Sequence, residues 1–213
     1  MSFETKYLIR WGIPGWTFIT LLSLLMILND VSFSVDIEST TNLLSITGVL
    51  TVLGVPLGYL FHQIYFAFSW VFLGNFKDVT KETTEHFSNE IKKIFSGDYF
   101  KVEMAWHAIL LDIEETEKRD YIVDRYRHLL SNVHSLGVLS LVFIIFNILT
   151  IVMLLINSNY QNLIFLLVGL LLNVSSMINY RYYSKNKNFF MGNIMAHYLI
   201  EYEEREAERK KNE

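Results

Sequence analysis

Histidine is the side chain with the greatest catalytic potential in this chain, which has six histidines and no cysteine. Without cysteine there is no disulfide, no thiolate nucleophile and no thiolate ligand for a metal. The histidines are scattered, and the H-E-x-x-H zinc motif, the glycine-rich phosphate loops and the G-x-S-x-G elbow do not occur. We therefore expect no metal, no cofactor and no catalytic residue of these classes.

One pair of side chains resembles a known catalytic pattern. Arg127 and His134 are separated by six residues, and this spacing resembles the Arg and His motif of HEPN ribonucleases. The resemblance implies cleavage of RNA phosphodiesters across a dimer interface of helical domains. The alternative is a basic helix end, in which Arg125, Arg127 and His128 face lipid phosphates.

The elements that position these residues are long apolar segments. Three stretches contain no Asp, Glu, Lys or Arg: Trp11–Asn29, Ser39–Phe76 and His128–Tyr180. A membrane-spanning helix needs about 20 apolar residues. The sequence therefore predicts an all-α polytopic membrane protein with four transmembrane helices, at about 12–28, 43–60, 136–156 and 163–180.

The positive charges indicate the orientation of these spans. All eighteen Lys and Arg residues lie in the N-terminal arm, in 74–135 or in the tail, and the positive-inside rule makes these parts cytoplasmic. We predict cytoplasmic termini and residence in a bacterial inner membrane. The predicted divisions are an arm with a first transmembrane hairpin, a cytosolic helical hairpin, a second transmembrane hairpin and a cytosolic C-terminal helix (1–73, 74–135, 136–180 and 181–213).

The cytosolic parts have amphipathic patterns. We predict one helix over 77–96, a break with Asp98 as N-cap, and a second helix that continues from Tyr99 into the third span. Its apolar stripe is Phe100, Met104, His107, Ala108 and Leu111. The tail begins with a positive collar of Arg181, Lys185 and Lys187, followed by an amphipathic helix with its own stripe: Phe190, Ile194, Met195, Tyr198, Leu199 and Tyr202.

The polar residues inside the spans are all neutral, which argues against pumps, ion-coupled transporters and voltage sensors. The five candidates are Asn147, Thr150, Asn173, Ser176 and Asn179. Asn147 and Asn173 lie at similar depth near mid-membrane. They either join helices, through each other or a neighbouring backbone, or line a water-filled path. A path of this kind requires a homo-oligomer, because single four-span subunits rarely enclose a pore.

Helix interruptions supply the candidates for a hinge or gate. Pro14 is expected at the start of the first span, where a missing N–H costs little. Pro56 predicts a kink in the second span, and Gly54 and Gly58 permit close helix contact. That span is expected to end near Leu60, with 61–76 as an aromatic interfacial helix. His62 is then either a gate or an interfacial histidine.

The leading hypothesis is a homo-oligomeric channel or pore-forming effector that is gated from the cytosol. The plan of the whole chain resembles small bacterial membrane effectors of anti-phage defence, including the Hailong-type channel subunit and CRISPR-associated transmembrane accessory proteins. The resemblance implies a cytosolic regulatory protein, or a nucleotide or oligonucleotide signal, as partner. The segment 74–135 has nine basic and twelve acidic residues, and no direct nucleic-acid-binding motif occurs. The alternative function is a membrane-anchored scaffold for a cytosolic protein.

Overall fold

The charge-free stretches form long helices in the computed structural model, which describes residues 3–30, 40–72, 76–95, 97–157 and 159–212. The α-helices in these ranges are α1 (Phe3–Leu28), α2 (Thr40–Phe66), α3 (Phe76–Thr83), α4 (Asn89–Phe95), α5 (Tyr99–Asp112), α6 (Thr116–Asn157) and α7 (Tyr160–Asn212). Four of them, α1, α2, α6 and α7, are long and apolar enough to cross a membrane. The described residues contain no strand, so the predicted all-α fold with four candidate spans is confirmed.

α6 and α7 are longer than a bilayer is thick. They have 42 and 53 residues, or about 63 Å and about 80 Å, against a hydrocarbon core of about 30 Å. Their charged residues lie before 128 and after 180. The apolar parts suited to a membrane are therefore 134–157 and 160–180, whereas the part of α7 from Arg181 onward is charged.

The helices form two units. The apolar unit comprises Met1–Phe68 and His134–Tyr180, and the charged unit comprises Ser69–Val133 and Arg181–Glu213. In the apolar unit a small buried core joins α2 and α6: Phe61, Tyr65, Val138 and Val142. The core of the charged unit is larger and draws on α4, α5, α6 and α7: Phe87, Ile91, Phe95, Val102, Trp106, Ile109, Ile113, Ile122, Met191 and Met195.

The end of the second span differs from the prediction. α2 continues to Phe66, a π-helical segment Ala67–Phe72 follows it, and the apolar part suited to the membrane is Gly48–Ser69. Phe61 and Tyr65 are buried against α6. The predicted end of the span near Leu60 is therefore wrong, because these two side chains, one turn apart, continue the packed face of α2. The interfacial position of 61–76 stays a prediction, and 73–75 lie outside the described residues.

The predicted single helix over 77–96 is also wrong. α3 ends at Thr83, a 3₁₀ turn covers Thr84–His86, and Phe87 is extended before α4 begins. The extended backbone accompanies burial of the Phe87 ring in the core. The predicted break before the next helix is confirmed: Gly97 has a left-handed φ of 82°, which glycine tolerates without steric cost.

The predicted cap of α5 is confirmed. The Oδ1 atom of Asp98 accepts hydrogen bonds from the backbone N–H groups of Phe100 at 3.0 Å and Lys101 at 3.4 Å. The expectation that this helix runs on into the third span is wrong, because α5 ends at Asp112 and Ile113 is extended. The helix dipole disfavours acidic side chains at a helix C-terminus. Asp112, Glu114 and Glu115 lie at the end of α5 and therefore do not stabilise this helix end.

The buried face of α5 is the opposite of the predicted one. Val102, Trp106 and Ile109 pack in the core, whereas Phe100, Met104 and Leu111 are exposed. The tail stripe is confirmed in its described part, since Met195 is buried and Phe190, Ile194, Tyr198 and Leu199 pack against the same core; the Tyr202 side chain lies outside the described residues. The tail is not a separate helix but the continuation of α7.

Candidate functional site

Two of the five predicted polar residues connect α7 to the backbone of α6 within the apolar unit. The amide Nδ2 of Asn173 donates a hydrogen bond to the Ser140 carbonyl at 2.9 Å. One turn later the hydroxyl of Ser176 donates to the Leu136 carbonyl at 3.0 Å. The two acceptors are likewise one turn apart on α6, so the two bonds hold the helices in one register.

Asn147 lies further along the same contact. Its side chain is 7% exposed, and its Oδ1 accepts no hydrogen bond from the residues that the structure describes. A Cβ on Gly169 of α7 would collide with this oxygen. The glycine therefore makes room for the amide, and Asn173 pairs with the backbone rather than with Asn147.

Ser140 adds a second polar atom of this kind. Its hydroxyl is buried and has no hydrogen-bond partner among the described residues. A helical serine commonly bonds the carbonyl four residues earlier, which here is Leu136, already the acceptor of the Ser176 hydroxyl. We call Ser140, Asn147, Gly169, Asn173 and Ser176 the polar seam.

Thr150 and Asn179, the other two candidates, bond within their own helices. Thr150 is fully buried and its hydroxyl donates to the Phe146 carbonyl at 2.9 Å. Asn179 is exposed, and its amide donates to the Ser175 carbonyl at 2.9 Å. Neither side chain joins the polar seam.

The glycines proposed for a hinge form a tight helix crossing. A Cβ on Gly15 of α1 would collide with the Gly54 carbonyl of α2, and a Cβ on Gly58 would collide with the Trp11 carbonyl of α1. Close backbone approach of this kind is the usual role of paired small residues in membrane helices. Trp16 adds an indole hydrogen bond to the Thr51 carbonyl at 2.9 Å. Pro56 lies inside α2 on an exposed position.

Pro14 lies near the start of the first candidate span, Arg10–Leu28, as predicted. It is not at a helix start, because α1 begins at Phe3 and the proline lies inside it. A proline inside a helix deprives the carbonyl four residues earlier of its N–H donor, and that residue is Arg10. The His62 ring is buried, and its Nε2 has no hydrogen-bond partner among the described residues.

An asparagine cluster at the ends of the spans was not predicted. The amides of Asn29 and Asn162 donate to each other, both at 2.8 Å, and Asn157 donates to Asn29 at 3.1 Å. Asn159 donates to the Leu28 carbonyl at 3.3 Å. We call these four residues the asparagine clasp. Its signal in the sequence is the concentration of asparagines in the turn after α6, together with one directly after α1.

The charged unit contains a buried cation that the sequence analysis placed at the membrane surface. Lys187 is 2% exposed, so its assignment to a positive collar is wrong. Burial lowers the pKa of Lys187 to about 8, while Glu82 and Glu103 act to raise it. The neighbouring Asn188 amide donates to Glu82 at 2.6 Å.

The two residues that resemble the ribonuclease motif have different surroundings. Arg127 is exposed in the charged unit. His134 is buried in the apolar unit, where its ring lies 4.8 Å from that of Phe66 and 6.2 Å from that of Tyr65. A ring packed among aromatic side chains is poorly placed for proton transfer to RNA.

Comparison with known proteins adds no relative: no family model, no curated protein and no solved structure matches this chain. Within the described part of the chain, no group of three or more His, Asp and Glu side chains could hold a metal ion.

Proposed function

We propose that this chain is the subunit of a homo-oligomeric membrane channel or pore-forming effector that is gated from the cytosol. The observation that carries the proposal is the polar seam between two membrane-spanning helices. Two of its oxygens, Ser140 Oγ and Asn147 Oδ1, are buried without a hydrogen-bond partner among the described residues.

A polar oxygen without a partner is costly in lipid, because no water reaches the hydrocarbon core. Water in the seam, or a side chain from a second subunit, would supply the missing donors. From Ser140 to Asn147 the seam extends for about 10 Å along α6, roughly a third of the hydrocarbon core. It therefore suits one wall of a neutral, water-filled path better than a complete pore.

The proposed orientation rests on charge, since the positive-inside rule puts both termini and the charged unit in the cytoplasm. The proposed location in a bacterial inner membrane rests on the architectural resemblance to bacterial membrane effectors. α6 and α7 contribute to both units, which gives a cytosolic signal two continuous helices through which to act. The architectural resemblance to anti-phage membrane effectors supports a regulatory protein or a nucleotide signal as the trigger.

The test is conductance of the purified protein in planar bilayers, with the oligomer mass measured on the same preparation. We expect discrete conductance from a defined oligomer. Asn147→Leu should clearly reduce that conductance without changing the oligomer mass, because leucine removes a hydrogen-bonding group from the water path. Ile148→Leu is the matched control, since Ile148 is 55% exposed on the neighbouring position of α6. A silent monomer would contradict the proposal.

A membrane-anchored scaffold is the second candidate. It is favoured by the hydrogen bonds of Asn173 and Ser176, which are made within one subunit and so join helices without any need for water. In that case Asn147→Leu should reduce stability or assembly, and no variant should conduct. The same bilayer and mass measurements therefore separate the two functions.

A further inference from the structure

α5 has two apolar faces, one buried in the core of the charged unit and one largely exposed. Residues 100, 104, 107 and 111 fall within about 60° of one another at 100° per residue, so they form one stripe. Phe100 is 66% exposed, Met104 71% and Leu111 83%. We call these residues, with His107, the Phe100 stripe. The core face of the same helix, with Val102, Trp106 and Ile109, lies on the opposite side.

An exposed apolar face of this kind needs an occupant. A helix that is apolar on both sides is normally covered on both sides, and contiguous exposed apolar surface marks an interaction site. The Phe100 stripe belongs to the charged unit. With 14 residues, α5 is too short to cross a membrane, so lipid does not surround it as it surrounds a span.

The charge around the stripe argues against the membrane surface as the occupant. Within α5 and the three residues that follow it, Lys101 is the single basic residue, whereas Glu103, Asp112, Glu114 and Glu115 are acidic. The cytoplasmic leaflet is negatively charged and attracts basic amphipathic helices. An acidic segment would be repelled by that surface.

The same charges fit a second copy of the chain. Lys101 and Asp112 are both exposed, and at 100° per residue they lie on the same edge of the stripe, near opposite ends of α5. If two α5 helices pack antiparallel about a twofold axis, each Lys101 approaches Asp112 of the other copy. In a parallel twofold pair, by contrast, this edge of each copy lies on the opposite side of the pair, so Lys101 of one copy would not approach Asp112 of the other.

We propose that two copies of this chain associate through the Phe100 stripe, with their α5 helices antiparallel. Phe100 of each copy then lies opposite Leu111 of the other, and Met104 lies opposite His107, in a self-complementary interface. The choice of a second copy rests on the proposed function, because a channel made of four-span subunits needs one. In this arrangement the Phe100 stripe is the surface through which the subunits of the channel associate.

A charge exchange on the full chain in nanodiscs tests the pairing. Lys101→Asp and Asp112→Lys should each weaken association by roughly tenfold, since each replaces two attractive pairs by two repulsive ones. The double variant should restore association. Lys93→Asp, exposed on α4, is the matched control. Single variants without effect, or a double variant that stays monomeric while folded, would overturn the proposal.

Cysteine cross-linking tests whether the two α5 helices pack antiparallel. Because the chain has no native cysteine, only the introduced cysteines can form disulfides. Phe100→Cys and Leu111→Cys should form few disulfide-linked dimers alone and many when the two variants are co-expressed. Asn89→Cys, exposed on α4, measures random collision. Efficient cross-linking of Phe100→Cys alone, or none in the mixture, would contradict antiparallel pairing.

Conductance of the same preparations separates this inference from the proposed function. Channels that conduct normally with Lys101→Asp and remain oligomeric would refute the α5 interface and leave the channel function intact. Dimers that respond to the charge exchange but never conduct, even with a cytosolic extract present, would support the interface and refute the channel function.

Discussion

Lys187 is a cation within the packed part of the charged unit. Burial favours the neutral form of an amine, and its pKa therefore falls to about 8 although Glu82 and Glu103 are nearby. The unfolded chain holds the same proton up to the ordinary lysine pKa of 10.5. Folding with a charged Lys187 therefore costs free energy below about pH 8.

The pH dependence of this cost gives a prediction. Between pH 8 and 10.5 the unfolded state binds more protons than the folded state, so the contribution of Lys187 to stability rises with pH. Lys187→Met should be stabilising at pH 7, and its advantage should shrink by up to about 3 kcal/mol by pH 10.5. Denaturant unfolding at several pH values measures the difference. Lys185→Met, at an exposed position, is the matched control, and a constant advantage for Lys187→Met would be the contrary result.

For single residues, the sequence showed which positions in the spans are polar but not which atoms they bond. Asn173 and Ser176 were recognised from their type alone, whereas their acceptors are backbone carbonyls that no residue type reveals. Lys187 was predicted to lie at the membrane surface because a basic residue that follows a membrane span usually faces the lipid headgroups. It lies four and eight residues before Met191 and Met195, which places it on the buried face of α7.

Among the helices, the crossing of α1 and α2 depends on the absence of side chains. Gly15 approaches the backbone of Gly54, and Gly58 approaches the backbone of Trp11. Backbone atoms cannot rotate away as a side chain can. A single methyl group therefore has to push the two helices apart.

Gly15→Ala should accordingly destabilise the protein by roughly 1–3 kcal/mol, as overpacking does in tight cores. Gly48→Ala is the matched control: it lies in α2 with no other atom within 4 Å of its added Cβ, and alanine should be neutral or slightly stabilising there. Stability against denaturing detergent compares the two variants. Equal effects would mean that the crossing is looser than the backbone contact implies.

The existence of the helices was easier to predict than their limits. The charge-free stretches indicated four long apolar helices because charge is excluded from lipid. The end of α5 depends on acidic residues around Ile113, and the continuation of α2 depends on a partner face of α6. For α5 the spacing of the apolar residues predicted a helix but fitted two apolar faces equally well. Of these two faces, the one with Trp106 is buried.

For the whole molecule, the distribution of positive charge predicts orientation. A reporter fused after Glu213 should be cytoplasmic, and one inserted near Ser34 should lie outside, because the acidic connector after α1 carries no basic residue. Paired alkaline phosphatase and fluorescent protein fusions measure this. A cytoplasmic signal at Ser34 would invert the first hairpin and remove the cytosolic gating proposal. The four long apolar helices were predictable because they are a matter of composition, and the orientation stays a prediction. Of the polar seam, the polar residues of the spans were predictable but the particular carbonyls that they bond were not.

The asparagine clasp has a mechanical consequence for the apolar unit. Reciprocal amide bonds between Asn29 and Asn162, reinforced by Asn157, tie the end of α1 to the turn between α6 and α7. The crossing with α2 holds the other end of α1, where the Trp11 carbonyl meets Gly58. α1 is therefore fastened at both ends, so that either sliding or tilting it would have to break the clasp or separate the crossing.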